Sequence, residues 1–131
     1  MVFLDTSFVI DYLRGRENAR KVYQNFKISG ESLNISAIVI TELITGAYVS
    51  KKTEEEISKV KNFLAETSIF DFTEDDAFEA GKIEAQLMKK GDSIEPEDIM
   101  IASTALLNEE TLVTRNKKHF EKIPNLKIVS Y

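Results

Sequence analysis

The chain of 131 residues has no cysteine and no tryptophan, a single histidine, two prolines and five glycines. Without cysteine there are no disulfides, thiolate metal sites, iron–sulfur clusters or thiol nucleophiles. The lone His119 excludes a His-rich zinc centre and leaves any Ser-His-Asp triad resting on one residue. A nucleotide-binding fold needs a glycine-rich loop after its first strand, and the only glycine nearby is Gly15. No apolar run approaches the ~20 residues of a membrane span. Met1-Val2-Phe3-Leu4-Asp5 also lacks the basic start and long apolar core of a secretion leader, so the expected location is the cytoplasm, with no membrane contact. Excess positive charge is missing as well. Lys plus Arg number 17 against 22 Asp plus Glu, a net charge of -5, which excludes a uniformly basic nucleic-acid coat but not a local basic patch.

What is present describes one globular domain over residues 1–131. A hydrophobic fraction of 43% and a charged fraction of 30% argue against disorder. A chain of this size buries about two thirds of its unfolded-state surface. Val2-Phe3-Leu4, Leu33-Asn34-Ile35, Ile69-Phe70-Asp71-Phe72, Leu112-Val113-Thr114 and Lys127-Ile128-Val129 read as short strands. Between them lie segments of helical periodicity: one after Asp5, then 17–28, 37–49, 53–66, 74–90 and 97–108. Thr53-Glu54-Glu55-Glu56 and Thr73-Glu74-Asp75-Asp76 read as capping boxes, Ser36 as a helix cap, and Pro96 as a first helical residue. Alternating strands and helices predict a three-layer α/β/α fold with a central parallel sheet of four to five strands.

In such a sheet, ligands bind beyond the carboxyl ends of the strands, where strand order reverses. Three carboxylates stand out there. Asp5 ends the first strand. Capping the next helix explains an aspartate at this place, yet Thr6 and Ser7 can cap equally well. Glu42 lies in a helix that is apolar on most faces, so its carboxylate must be paired, protonated or bound to a cation. Gly46, one turn on, leaves room for close approach. Asp98 opens the almost wholly apolar helix 98–107, and the helix dipole alone favours an acid in that first turn. Three carboxylates from separate segments, with no cysteine and one histidine, suggest a hard-cation site for magnesium or manganese. Arg14, Arg16, Arg20 and Lys21 follow the first helix, and Arg115, Lys117, Lys118 and Lys122 follow the fourth strand. Both groups can flank the crevice and hold a phosphate backbone.

Taken in order, Leu4-Asp5-Thr6-Ser7-Phe8-Val9-Ile10-Asp11-Tyr12-Leu13, Ile40-Thr41-Glu42-Leu43-Ile44-Thr45-Gly46, Glu97-Asp98-Ile99-Met100-Ile101-Ala102-Ser103-Thr104-Ala105-Leu106 and Leu112-Val113-Thr114-Arg115-Asn116-Lys117-Lys118-His119-Phe120 resemble the PIN-domain ribonucleases. Most closely they resemble the VapC toxins of VapBC toxin–antitoxin systems, from residue 2 to about 129. The resemblance implies an Mg2+- or Mn2+-dependent endoribonuclease, a hydrolase that cuts RNA phosphodiester bonds with metal-activated water and leaves 5′-phosphate and 3′-hydroxyl ends. It implies that Asp5, Glu42 and Asp98 are the catalytic, metal-holding acids, with Thr6 and Thr114 supporting them. The family usually supplies a fourth acid at Asn116 or a few residues on. This chain carries Asn116 and His119 there, so one tightly held ion is expected, with a second that is weak or present only with RNA bound, and Asn116 joins the catalytic set by offering a carbonyl oxygen. Arg14, Arg16, Arg115, Lys117 and His119 are the expected RNA contacts. The expected partners are RNA, a VapB-like antitoxin whose tail covers the crevice, and a second copy packed on helix faces within 37–66.

Rival readings fail on particular residues. A haloacid-dehalogenase-type phosphatase needs a second aspartate where Ser7 stands, and a receiver domain needs an early acidic pair that is absent. Two alternatives share the resemblance. One is a PIN-like domain that binds RNA or protein without catalysis, motivated by the missing fourth acid. The other is a housekeeping RNA-processing nuclease without an antitoxin.

Overall fold

The computed structural model describes all residues from 1 to 131. Strand β1 (Val2–Leu4) runs into helix α1 (Thr6–Leu13), and α2 (Glu17–Ile28) follows a turn at Gly15, whose φ of +77° suits only glycine without strain. The chain continues through β2 (Leu33–Ser36), α3 (Ala37–Val49), α4 (Thr53–Leu64), β3 (Ser68–Phe70) and α5 (Glu74–Lys89). It ends with α6 (Pro96–Leu107), β4 (Thr111–Val113), the single-turn α7 (Lys117–Phe120) and β5 (Ile128–Val129).

All five strands pair in parallel, in the order β3-β2-β1-β4-β5. The sheet grows outward from β1 to β3 and then crosses back to the other side of β1. Its order therefore reverses between β1 and β4, where Leu4 lies in register with Val113. The next residues, Asp5 and Thr114, meet at the mouth of that crevice. Successive strand residues point to opposite faces, and Val2, Phe3 and Leu4 are all buried. Both faces of the sheet are thus covered at its centre, as a three-layer fold requires, while the edge strands β3 and β5 stay partly exposed. No helix is long and apolar enough to cross a membrane.

Most helix boundaries follow the sequence signals. Ser36 caps α3 by accepting from the Ile38 amide at 3.1 Å. Thr73 and Asp76 form a reciprocal capping box on α5, with bonds of 3.1 and 3.0 Å. The other box does not form. Lys52 occupies the N-cap of α4, and Thr53 is already helical, its hydroxyl donating back to the Ser50 carbonyl at 3.1 Å. β3 stops at Phe70, leaving Asp71 and Phe72 beyond the strand, and α7 is an element that short apolar spacing could not reveal.

A cluster of 25 buried apolar residues spans the sheet and its helices. In α3 only Val39, Leu43 and Ala47 are buried, a stripe of one residue per turn. Ile38, Ile40 and Ile44 are half-buried against the core, while Tyr48 and Val49 stay at the surface.

Candidate active site

Asp5 is positioned by the end of β1 and is 2% exposed. It stands at the N-cap of α1, yet its side chain caps nothing. The capping explanation therefore does not account for it. Its Oδ2 instead accepts from Ser7 Oγ at 2.8 Å and from Thr114 Oγ1 at 2.7 Å. These two hydroxyls lie 3.3 Å apart and fix the carboxylate from the α1 side and the β4 side at once. Thr114 also accepts from the Asn116 amide, and Ser7 from the Arg115 amide, so the β4 loop is tied to the same centre.

Glu42 comes from the middle of α3, where Thr6 Oγ1 donates to its Oε1 at 2.5 Å. Burial raises its pKa above the usual carboxylate range, the Thr6 bond opposes that rise, and the charges of Asp5 and Glu97 add to it. Asp98 projects from the first turn of α6. Its pKa is pushed up to about 6, first by burial and then by the negative charges of Asp5 and Glu42, while His119 opposes the shift. His119 Nδ1 lies 3.5 Å from Asp98 Oδ2. None of Asp5, Glu42 and Asp98 is paired with a lysine or arginine; the two arginine ion pairs both go to Asp11. The salt bridge that would have given Glu42 a structural role is absent.

The three carboxylates thus feel one another without a lysine or arginine counterion, and burial adds to the cost of holding them charged. That donor set fits a hard divalent cation, which takes oxygen ligands and brings the missing positive charge. The side chains are not drawn to one point as a closed cage; Thr6, Ser7 with Thr114, and His119 each hold a different acid. Glu97 adds a further negative charge beside Glu42.

Asn116 is exposed at the N-cap of α7, with its side chain capping nothing. Arg14 lines a cavity of about 340 Å3 between α1, α3 and α4, together with Glu42 and Gly46. A Cβ built on Gly46 meets nothing within 4 Å. Gly46→Ala is therefore expected to stabilise the protein by about 0.5–1 kcal/mol, because α3 gains a better helix former at no steric cost. A urea midpoint that falls instead would mean that this space is filled.

Arg16 and Arg115 sit elsewhere, both held by Asp11, at 3.3 and 2.7 Å. Lys117 is exposed on α7. Sequence reasoning weighed Ser7 only as a cap and passed over Asp11, which is 1% exposed. A signal for Asp11 existed: it is an acid in the apolar run Phe8-Val9-Ile10-Asp11, the same anomaly that singled out Glu42.

Comparison with known proteins agrees with this fold. The PIN domain family profile matches residues 2–126. Ribonuclease VapC2 of Rickettsia felis is 40% identical over 106 residues, covering 79% of each chain. A tRNA(fMet)-specific endonuclease VapC of Salmonella typhimurium is 31% identical over 125 residues, 95% of this chain and 93% of that protein. Among solved structures, VapBC2 from Rickettsia felis bound to a DNA fragment from its promoter superposes with a TM-score of 0.92. It is 32% identical and covers 100% of this chain and 99% of the other.

Proposed function

The chain belongs to the PIN-domain family, and from that premise we propose that Asp5, Glu42 and Asp98 make it a metal-dependent endoribonuclease of the VapC type, the toxin of a toxin–antitoxin pair. The observation that carries this reading is the set of three acids without a lysine or arginine partner at the point where strand order reverses. Residues 1–131 act as one PIN domain in the cytoplasm, where RNA is.

Asp5, Asp98 and Glu42 would hold Mg2+ or Mn2+, with Asn116 able to add a carbonyl oxygen. When bound, such an ion lowers the pKa of water and offsets charge on a phosphodiester. The chain's own residues prepare the site for it. Ser7 and Thr114 fix the Asp5 carboxylate and leave Oδ1 without a hydrogen bond from either. Thr6 turns one oxygen of Glu42 away from protonation. Burial lowers screening around the reacting phosphate, so each charge acts more strongly there. His119 sits beside Asp98, half-exposed, where it can meet the RNA.

The partners proposed are RNA as substrate, a VapB-like antitoxin whose tail covers the acidic crevice, and a second copy of the chain. The surface offered to that copy is the uncovered face of α3, where Ile40, Ile44, Tyr48 and Val49 line a depression of about 610 Å3.

The test is incubation of total RNA and purified tRNA with the protein in Mg2+, in Mn2+ and in EDTA, followed by identification of the product ends. Cleavage with either ion, none in EDTA, and 5′-phosphate and 3′-hydroxyl ends are expected. Binding of RNA without any cutting, in either ion, would favour the non-catalytic reading that the missing fourth acid at Asn116 motivates.

A further inference from the structure

Outside the acidic crevice, two buried carboxylates remain that the proposed chemistry does not use: Asp76, which closes the capping box of α5, and Asp11. Asp11, on α1, is 1% exposed, and a carboxylate buried to that degree must be heavily compensated. Three side chains from three parts of the chain do this. Arg115 Nη1 donates at 2.7 Å to Oδ1, Arg16 Nε lies 3.3 Å from the same oxygen, and the Tyr131 hydroxyl donates at 2.7 Å to Oδ2. Arg16 and Arg115 are nonetheless 57% and 51% exposed, so each guanidinium is gripped on one side and open to water on the other. Together with Glu17, Asn18 and Lys21 they line a solvent-open cavity of about 670 Å3 that has no apolar residue in its wall. Lys21 is paired with Glu17 at 3.4 Å, and two guanidinium groups against one carboxylate leave a net positive charge. α2 also begins here without a side-chain cap, which adds to the positive potential.

The cavity is coupled to the crevice. Arg115 directly follows Thr114, and its amide donates to Ser7 Oγ, the hydroxyl that holds Asp5.

We propose that Asp11 is a positioning residue that fixes Arg16 and Arg115 as a subsite for a backbone phosphate of the RNA, outside the acidic crevice. This rests on the reading of the chain as an RNA-cleaving enzyme and adds where the strand is gripped. A guanidinium presents several donors in a fixed fork matched to phosphate oxygens. Anchoring two of them on a buried acid removes rotamer freedom before the ligand arrives, so less is lost on binding.

The experiment measures binding of a fluorescein-labelled single-stranded RNA by anisotropy, in EDTA, from 50 to 500 mM NaCl. Removing one cation that neutralises a phosphate should lower the slope of log K against log salt by ~0.7 and weaken binding about fourfold near 0.15 M salt. That is the result expected for Arg16→Gln, with Arg16→Lys keeping the slope and Lys89→Gln, remote from this cavity, leaving it unchanged. Asp11→Asn adds a unit of positive charge yet is expected to weaken binding about fourfold or more, since it frees both arginines. An unchanged slope in Arg16→Gln overturns the subsite, as does tighter binding by a folded Asp11→Asn. If Asp11→Asn does not fold, Arg16→Gln decides alone. Cleavage in Mg2+ with unchanged slopes would remove the subsite and keep the nuclease. Altered slopes without any cleavage would remove the nuclease and keep the subsite.

Discussion

Asp98→Asn is expected to make the metal-free protein more stable at pH 8 while reducing RNA cleavage at least about 100-fold, the scale on which site groups act in metal-assisted hydrolysis. The stability gain follows from electrostatics. Burial and the charges of Asp5 and Glu42 push the Asp98 pKa to about 6, against an ordinary value of 3.8. At 1.36 kcal/mol per pKa unit, that shift corresponds to about 3 kcal/mol of strain in the ionised form. The Asp98 side chain is 19% exposed, and water screens part of this. Asparagine also forgoes the favourable interaction of an acid with the N-terminus of α6, about 0.3–1 kcal/mol. A net gain of about 1–2 kcal/mol remains, a rise in Tm of roughly 3–8 °C for a domain of this size. Thermal melts in EDTA check it. A variant that melts lower than the parent would show that Asp98 serves the fold through His119 and not a ligand.

The second large effect is a dependence of stability on pH that a metal ion reverses. Asp98 is raised in the folded protein, so its contribution to stability is fully present below its unfolded value of 3.8 and is lost as pH rises through about 6. Glu42 is shifted in the same direction, chiefly by burial. From these groups the metal-free protein is expected to lose about 1–2 kcal/mol between pH 4.5 and 7.5. A divalent ion needs both acids ionised, so its binding competes with protons. Mn2+ at a hundred times its Kd contributes about 2.7 kcal/mol. That full increment is expected at pH 7.5, with a much smaller one at pH 5. Melting curves at both values, with and without Mn2+, give the comparison. Equal increments at the two pH values would mean that the ion binds away from Asp98 and Glu42.

Much of this site was legible because local chemistry and position in the chain happened to agree. A short apolar run ending in Asp5 had only one way to enter a parallel sheet, and Glu42 and Asp98 were conspicuous as acids in apolar helices. The parallel sheet followed from alternation alone, and Ser36, Thr73 and Pro96 marked helix starts because caps are local. What escaped depends on the third dimension. Thr53 carries the residues of a capping box, but the preceding turn brings Ser50 to its hydroxyl and moves the cap to Lys52. Arg115 and Asp11 are 104 positions apart, and Tyr131 and Asp11 are 120 apart; nothing in the spacing announces that they meet. Arg16 and Arg115 could be read as basic and near the crevice, but not as anchored. The strand order that brings Asp5 and Thr114 together is likewise a property of the sheet.

Catalysis of the kind proposed requires Asp5, Glu42 and Asp98 to act together on one divalent ion. The most direct test is a Mn2+ titration of the parent protein and of Asp5→Asn at pH 7.5, following free Mn2+ by electron paramagnetic resonance. The parent is expected to take up one Mn2+ per chain tightly, and Asp5→Asn to bind it at least about tenfold more weakly. Uptake that is the same in both proteins, or absent from the parent, would contradict a metal site shared by the three acids.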